Sequence, residues 1–384
     1  MKPYADIISR MALIHCHLGP LTHLERGVLD GLLRCAAGHG WDVAVEAWTE
    51  IPEGTERDAD AHLVRGNHPR LERLRATGRP VVAIGCDLPF SLPQVWLDDR
   101  AIGAAAAHHL IDRGFRLLGY RGDPGIPTSV RRRAGFIEAA GAAGVAGLDL
   151  EAAPALLQRW SHAGELADTR RLLAELERPL GILAFTCHVG RRVLSALAGS
   201  EPPHRLAVVA GDHDPQVAMA SRPVLACVRT APERLGFTAG EVIAGLLAGR
   251  PAPTAPILLP PAGVDDGASA AMRAVTDPAV LAALAHAERD AEADVDALAA
   301  AAGVARRTLE MRFRASLGEA PARLLRRRRM NRALGLLADG SQPVAEVATA
   351  CGWASATRFS ADVRAATGMP PLAWRRMAQR GGLV

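Results

Sequence analysis

His15 and His17 stand two apart in the segment LIHCH near the N-terminus. Near the other end, Arg306, Arg307, Thr308, Glu310 and Met311 share one stretch, and Ser355, Ala356, Thr357 and Arg358 share another. The histidine pair suits metal chemistry. A His-x-His directly after a first strand is how barrel-type metal-dependent hydrolases begin, and His188, Asp212, His213 and Asp214 are candidates to complete such a site. The second set suits duplex DNA, because Arg reads guanine edges bidentately and Glu accepts from cytosine. Two histidines on an extended segment are a weak pattern, so we expect His15 and His17 at the polar edge of a cleft, with no bound metal and no cofactor. No Gly-x-Ser-x-Gly, phosphate loop or Gly-x-Gly-x-x-Gly follows an apolar run. Nucleophilic hydrolase and nucleotide-binding readings therefore lack support.

The elements that must carry these residues fall into two parts. Over the first 265 or so residues, short apolar runs alternate with helical patterns. Expected strands are Met11–Ile14, Val43–Val45, Val81–Gly85, Val95–Leu97, Leu117–Tyr120, Gly181–Phe185, Leu206–Val209, Leu225–Val228 and Ile257–Leu259. Expected helices include His23–Ala37, Ile102–Asp112, Val130–Ala142, Gly164–Leu176, Val189–Leu197 and Pro232–Leu247. Continuous apolar runs between helices imply buried parallel strands in βαβ units. Two such series, meeting near residue 125, predict two doubly wound lobes with a cleft between them and ligand contacts just after the strands. This gives a body at 1–265, a polar linker at 266–276 and a helical tail at 277–384.

Composition agrees with this division. From Ala297 to Val384 the chain has 15 Arg against 5 acidic residues, net +10, whereas the remaining 30 basic and 36 acidic residues leave the rest at −6. A basic tail on an acidic body implies a polyanionic partner for the tail alone. Only one of the 45 basic residues is a lysine, so a single Arg carries less functional weight than usual. With 49% apolar and 22% charged residues the chain can bury sizeable cores, and no apolar stretch is long enough to span a bilayer. The N-terminus lacks a small-residue cleavage site, and six scattered cysteines without a CxxC pair suit reduced thiols, so a cytoplasmic protein without a membrane partner is expected.

The tail repeats itself. Leu298, Ala299, Gly303 and Val304 match Val347, Ala348, Gly352 and Trp353 at an offset of 49; Leu309, Phe313, Arg314, Gly318 and Pro321 match Phe359, Val363, Arg364, Gly368 and Pro371 at an offset of 50. Each copy reads as a short helix, a glycine turn and a second helix, which is helix-turn-helix grammar. The glycines stand where the chain must leave the first helix in a left-handed conformation. Leu309 and Phe313, then Phe359 and Val363, should face inward, leaving the DNA-reading candidates outside. Between the copies, Ala320–Ala338 predicts a helix spanning roughly 28 Å, near the ~34 Å of one DNA turn. Arg326–Arg329 on it are better suited to phosphates or solvent than to bases.

With these features the tail resembles the AraC-type DNA-binding domain, through RMNRALGLL and VAEVATACGW…TGMPPLAWRR. Where that family usually has aromatic-Ser-Arg-x-Phe-Lys, this chain has Phe359-Ser360-Ala361-Asp362-Val363-Arg364. The body stretches VWLDDRAIGAAAAHHLIDRGFRLLGY, SVRRRAGFIEAA and LAVVAGDHD resemble lac-repressor-type and periplasmic sugar-binding proteins. Such a body ahead of an AraC-type tail is the arrangement of xylose-operon regulators. The resemblance implies a periplasmic-binding-protein-like sensor and a double helix-turn-helix domain that binds promoter DNA. It also implies a small effector of the sugar class, a homodimer, and RNA polymerase as a candidate partner. Carried over by position, it places Asp98, Arg132, Thr186 and Asp212 against the effector, with His17 beside them and Trp96 and Trp160 as aromatic platforms. Bland roles stand beside these: Asp98 as a helix cap, and Arg132 as one of an arginine run. Two alternatives stay open, a body that only dimerises and a metal-dependent hydrolase.

Overall fold

A computed structural model describes residues 11–19, 22–46, 58–66, 71–85, 92–150, 179–197, 206–290, 292–367 and 369–379. In chain order the body runs β1 (Leu13–His17), α1 (His23–His39), β2 (Asp42–Glu46), β3 (Ala61–Arg65), α2 (Leu71–Ala76), β4 (Val81–Ile84), β5 (Gln94–Leu97) and α3 (Asp99–Asp112). It continues with β6 (Leu117–Arg121), α4 (Pro127–Ala142), β7 (Ala146–Asp149), β8 (Leu180–Ala184), α5 (Cys187–Leu197), β9 (Leu206–Ala210) and α6 (Pro215–Ala220). The last body elements are β10 (Ala226–Val228), α7 (Pro232–Leu247), β11 (Ile257–Leu259), β12 (Val264–Asp265) and a 3-10 turn at Ala268–Ala270. Two compact units result, one built on Met1–Asp98 and Ala231–Pro260, the other on Asp99–Thr230 and Pro261–Arg376.

The first unit holds a sheet in the order β11-β5-β4-β3-β1-β2, parallel throughout. A sheet with both faces covered needs strands apolar on both sides. One face is a core of Ile14, Cys16, Leu63, Val82 and Val95 against Val28 and Leu32 of α1 and Leu235, Ala239 and Ile243 of α7. On the other, Val64, Val81 and Ala83 meet Leu71 and Leu74 of α2.

The second sheet has the order β12-β10-β9-β8-β6-β7, parallel except for the β10–β12 edge. Helices α3 and α4 approach so closely that a methyl on Gly103 would lie 2.0 Å from the Arg132 carbonyl oxygen, and one on Gly135 2.0 Å from that of Arg100. Only glycine permits this crossing, and it fixes where Arg132 stands.

All nine expected strands occur with small boundary shifts, whereas β3, β7 and β12 were not expected from the apolar pattern. The expected helix at Gly164–Leu176 and Trp160 lie outside the described residues. The stretch expected as a polar linker is packed rather than loose. Ser269 donates to the Val208 carbonyl at 2.6 Å and accepts from the Ala226 amide at 2.8 Å, and the Ala274 amide bonds Arg113.

Helices make up the tail: α8 (Pro278–Arg289), α9 (Val295–Ala301), α10 (Arg306–Leu317), α11 (Pro321–Asp339), α12 (Val344–Ala350), α13 (Ala356–Thr367) and α14 (Pro371–Gln379). Asp277 and Asp294 cap α8 and α9 by accepting amide hydrogen bonds. The repeat is therefore structural: α9–α10 and α12–α13 are the two copies. Gly303 and Gly352 end their first helices at φ 65° and 77°, in the left-handed region the sequence called for. The first copy buries Leu298, Leu309, Phe313 and Leu317 with Val280 and Leu284 of α8. In the second, Phe359 and Val363 are buried and the Trp353 ring meets that of Phe359 edge-on at 5.1 Å. Helix α11, at 19 residues, joins them.

Candidate functional site

On α10, Leu309 and Phe313 turn inward, and this leaves Arg306, Arg307 and Met311 exposed with Thr308 and Glu310 half-buried. Arg306 is engaged, with Nη1 3.0 Å from Asp296 and Nε 3.3 Å from Glu310. These two carboxylates hold its charge on and raise its pKa. Glu310 is thereby held on its own helix, so Arg307 and Met311, 58% exposed, present the less committed face. On α13, Ser355, Ala356, Thr357 and Arg358 are all exposed at the helix start. The acid that departs from the AraC pattern is anchored here: Asp362 accepts from Trp353 Nε1 at 3.0 Å and pairs with Arg358 at 3.2 Å. It orders the start of the second recognition helix while taking up part of one positive charge.

In the body, the loops after β8 and β9 meet. Thr186 Oγ1 accepts from the Val189 amide at 3.4 Å, and the Cys187 amide donates to Asp212 Oδ1 at 2.6 Å, so both side chains cap α5. Arg132, on α4, reaches the same place. Its Nη1 donates to the Phe185 carbonyl at 2.7 Å, and its guanidinium lies 4.9 Å from the centre of the Phe185 ring. Its Nε and Nη2 both donate to Asp99 Oδ1, at 3.2 and 2.8 Å. Burial pushes the Asp99 carboxyl above its usual range, opposed by Arg132 and Arg131. Arg132 is only 5% exposed, so it is not one of a solvated run.

Arg132, Thr186 and Asp212 thus gather at the carboxyl ends of β8 and β9, where open α/β sheets bind ligands. Sequence reasoning missed Asp99, which orients Arg132. The doublet Asp98-Asp99 marks the place in the sequence, and the structure puts its second acid on Arg132. Asp98 follows β5, half-buried, with its amide donating to the Leu259 carbonyl at 2.8 Å. Trp96 is buried in β5.

His15 and His17 are buried, not at an edge, at 5% and 0% exposure. Of the four partners suggested for a hydrolase site, three are otherwise engaged, Asp212 in capping α5. Asp214 caps α6, His213 lies 3.6 Å from Asp265, and His188 is exposed. Instead His62 of β3, in a strand the sequence did not reveal, stands beside the pair.

Residues 298–377 match the helix-turn-helix domain model and residues 107–270 the periplasmic binding protein-like domain model. The chain joins an AraC-type helix-turn-helix domain to a periplasmic-binding-protein-like body: it is a DNA-binding transcriptional regulator. Along nearly its whole length the regulator is similar to the xylose operon regulatory protein of Escherichia coli strain K12, 28% identical over 372 residues, covering 91% of this chain and 93% of that protein. A putative AraC-like transcription regulator of Streptomyces antibioticus is 34% identical over 113 residues, 29% of this chain and 37% of that one. The solved structure of the xylose-binding transcription activator xylR shares the fold, with a TM-score of 0.60 at 22% identity, over 96% of this chain and 98% of that chain. Among the described residues no helix is long and apolar enough to cross a membrane.

Proposed function

We propose that this regulator answers a small sugar or sugar derivative, held at the carboxyl ends of β8 and β9 by Arg132, Thr186 and Asp212. The observation that carries the reading is Arg132, buried and fixed by Asp99 and the Phe185 carbonyl beside Asp212. Three guanidinium donors are committed to that scaffold, and a guanidinium has five. The remaining N–H groups and the Asp212 carboxylate can meet neutral hydroxyls with directional, charge-assisted bonds. Similarity to the xylose operon regulatory protein over most of both chains supports a pentose or a close analogue as the first effector to try. Asp98 and His17, which the resemblance also places against the effector, belong to the first unit and carry no part of this reading. The reading takes the regulator to be a cytoplasmic homodimer on promoter DNA, with RNA polymerase as its partner at the promoter, and assigns it no catalysis.

A ligand that binds only the folded state adds stability as RT ln(1 + [L]/Kd), about 2.7 kcal/mol at a hundredfold excess over Kd. Thermal unfolding of the full chain against pentoses, hexoses and sugar acids should find one class that shifts the midpoint. Asp212→Asn keeps the shape and an acceptor for the α5 cap and should lower that affinity at least tenfold, with DNA binding retained. No shift with any sugar, or an undiminished shift in Asp212→Asn, would overturn the assignment.

A further inference from the structure

Three imidazoles meet inside the first unit. Strand β1 pairs with β3 in parallel, with His15 opposite His62 and His17 opposite Val64. Side chains two apart on a strand share a face, so His15, His17 and His62 all project from the side opposite the Ile14–Cys16–Leu63 core. All three are buried, at 5%, 0% and 0% exposure. His17 Nε2 and His62 Nδ1 are 3.2 Å apart, and one ring nitrogen from each of the three residues lies within 4.8 Å of the others. Ring centres are 5.9 Å apart for His15–His17 and His15–His62, and 5.4 Å for His17–His62.

We propose that His15, His17 and His62 form a binding site for one divalent transition-metal ion of the zinc class. Zinc binds imidazole nitrogen at about 2.0–2.1 Å, so two nitrogens on a tetrahedral ion sit roughly 3.3 Å apart. The His17–His62 pair is already at that separation. The third nitrogen needs to approach by roughly 1.5 Å, within the swing of a side chain about its own torsions. An all-nitrogen set selects zinc, cobalt, nickel or copper over magnesium or calcium, which take oxygen. Three protein ligands leave a fourth position for water or a small anion.

The ion would cross-link the neighbouring strands β1 and β3. This is separate from the sugar assignment, which rests on residues of the other unit.

Cobalt(II) is the probe, added to the chelator-treated full-length chain. We expect one ion per chain, with the intense visible absorption of a tetrahedral site and no near-ultraviolet sulfur-to-cobalt charge transfer. His17→Gln and His62→Gln should each weaken binding at least tenfold, since even an outer-shell partner is worth about 10–100-fold. Circular dichroism and DNA binding identify variants that remain folded. A second cluster, Cys35, His39 and Glu241, supplies the control. Charge transfer that disappears in Cys35→Ser would place the ion there and overturn the proposal. So would absence of stoichiometric uptake by the wild-type chain, or undiminished uptake in folded His17→Gln and His62→Gln.

Discussion

Arg327 and Glu319 form a forked pair at the start of the spacer helix. Nη1 and Nη2 of the arginine donate to Oε2 and Oε1 of the glutamate at 3.0 and 2.7 Å. The same Nη2 also donates to Asp112, the last residue of α3 in the body. One arginine of the DNA-binding half is therefore bound to an acid of the sensing half. Nearby, Arg116 donates to the Leu317 carbonyl at 2.8 Å. Burial pushes the Arg327 pKa down to about 10 and raises that of Glu319.

Removing Arg327 leaves two buried acids facing each other. Arg327→Met should cost about 3–5 kcal/mol in urea unfolding, the usual result of breaking a buried pair from one side. Adding Glu319→Gln and Asp112→Asn to it should restore much of that loss, because the uncompensated charge is gone. Equal and additive losses in all three would show that the groups do not act as a network.

The same junction should make stability depend on pH. Burial pushes the pKa of His108 down to about 4, with Arg327 and Arg323 adding to the effect. His109 is pushed down to about 3, with help from Arg113 and Arg328. Both lie below the unfolded value of 6.5, so between these values the unfolded chain binds more protons than the folded one. Their contribution is fully present above about pH 6.5 and is lost as pH falls toward 4 and then 3. The expected loss is on the order of 3–5 kcal/mol for each histidine. His108→Asn should flatten the decline between pH 6.5 and 4 relative to wild type, measured by unfolding across that range.

Glycine packing holds Arg132 in place. Gly103→Ala puts a methyl against the Arg132 carbonyl and should cost about 1–3 kcal/mol as α3 and α4 separate. The sugar-induced thermal shift should fall with it, while the affinity of the unliganded protein for DNA should not.

For the DNA surface, the two neighbouring arginines of α10 should behave differently. Arg307→Ala should weaken specific binding by about 1–3 kcal/mol and relax preference at one base pair. Arg306→Ala releases Asp296 and Glu310, so its effect should be smaller and spread evenly across sequences. Gel-shift titration against the operator and single-base variants separates the two, and equal profiles would refute the distinction.

The tail was the most legible part of the chain. A repeat of apolar residues four apart, broken by Gly303 and Gly352, admits one periodicity, and it produced the helices and their inward faces. The nine apolar strands were legible for a similar reason. Strand β3 was not, because AHLVR carries a buried histidine and an arginine where a parallel strand usually has branched apolar residues. With β3 went His62, and without it His15 and His17 read as an isolated pair. Strand β7, AGLD, is a short strand that among the described residues pairs only with β6, at the edge of the sheet, and an edge needs no continuous apolar run. The Asp99–Arg132 bond was invisible because a backbone turn, not a pattern, decides which of two adjacent acids faces α4.

The match to the helix-turn-helix model begins at residue 298, yet the hydrophobic core beneath the first recognition helix begins with Val275 and takes Val280, Ala283 and Leu284 from α8. Surgery at the homology border would strip away one wall of that core and leave Leu309 and Phe313 wet. Anyone seeking a self-sufficient DNA-binding fragment must start upstream of Val275, and there the peptide is already stitched to the sensor through Ser269 and Ala274. Excision therefore has no clean seam, because bonded backbone rather than a slack tether joins the fragment to the body.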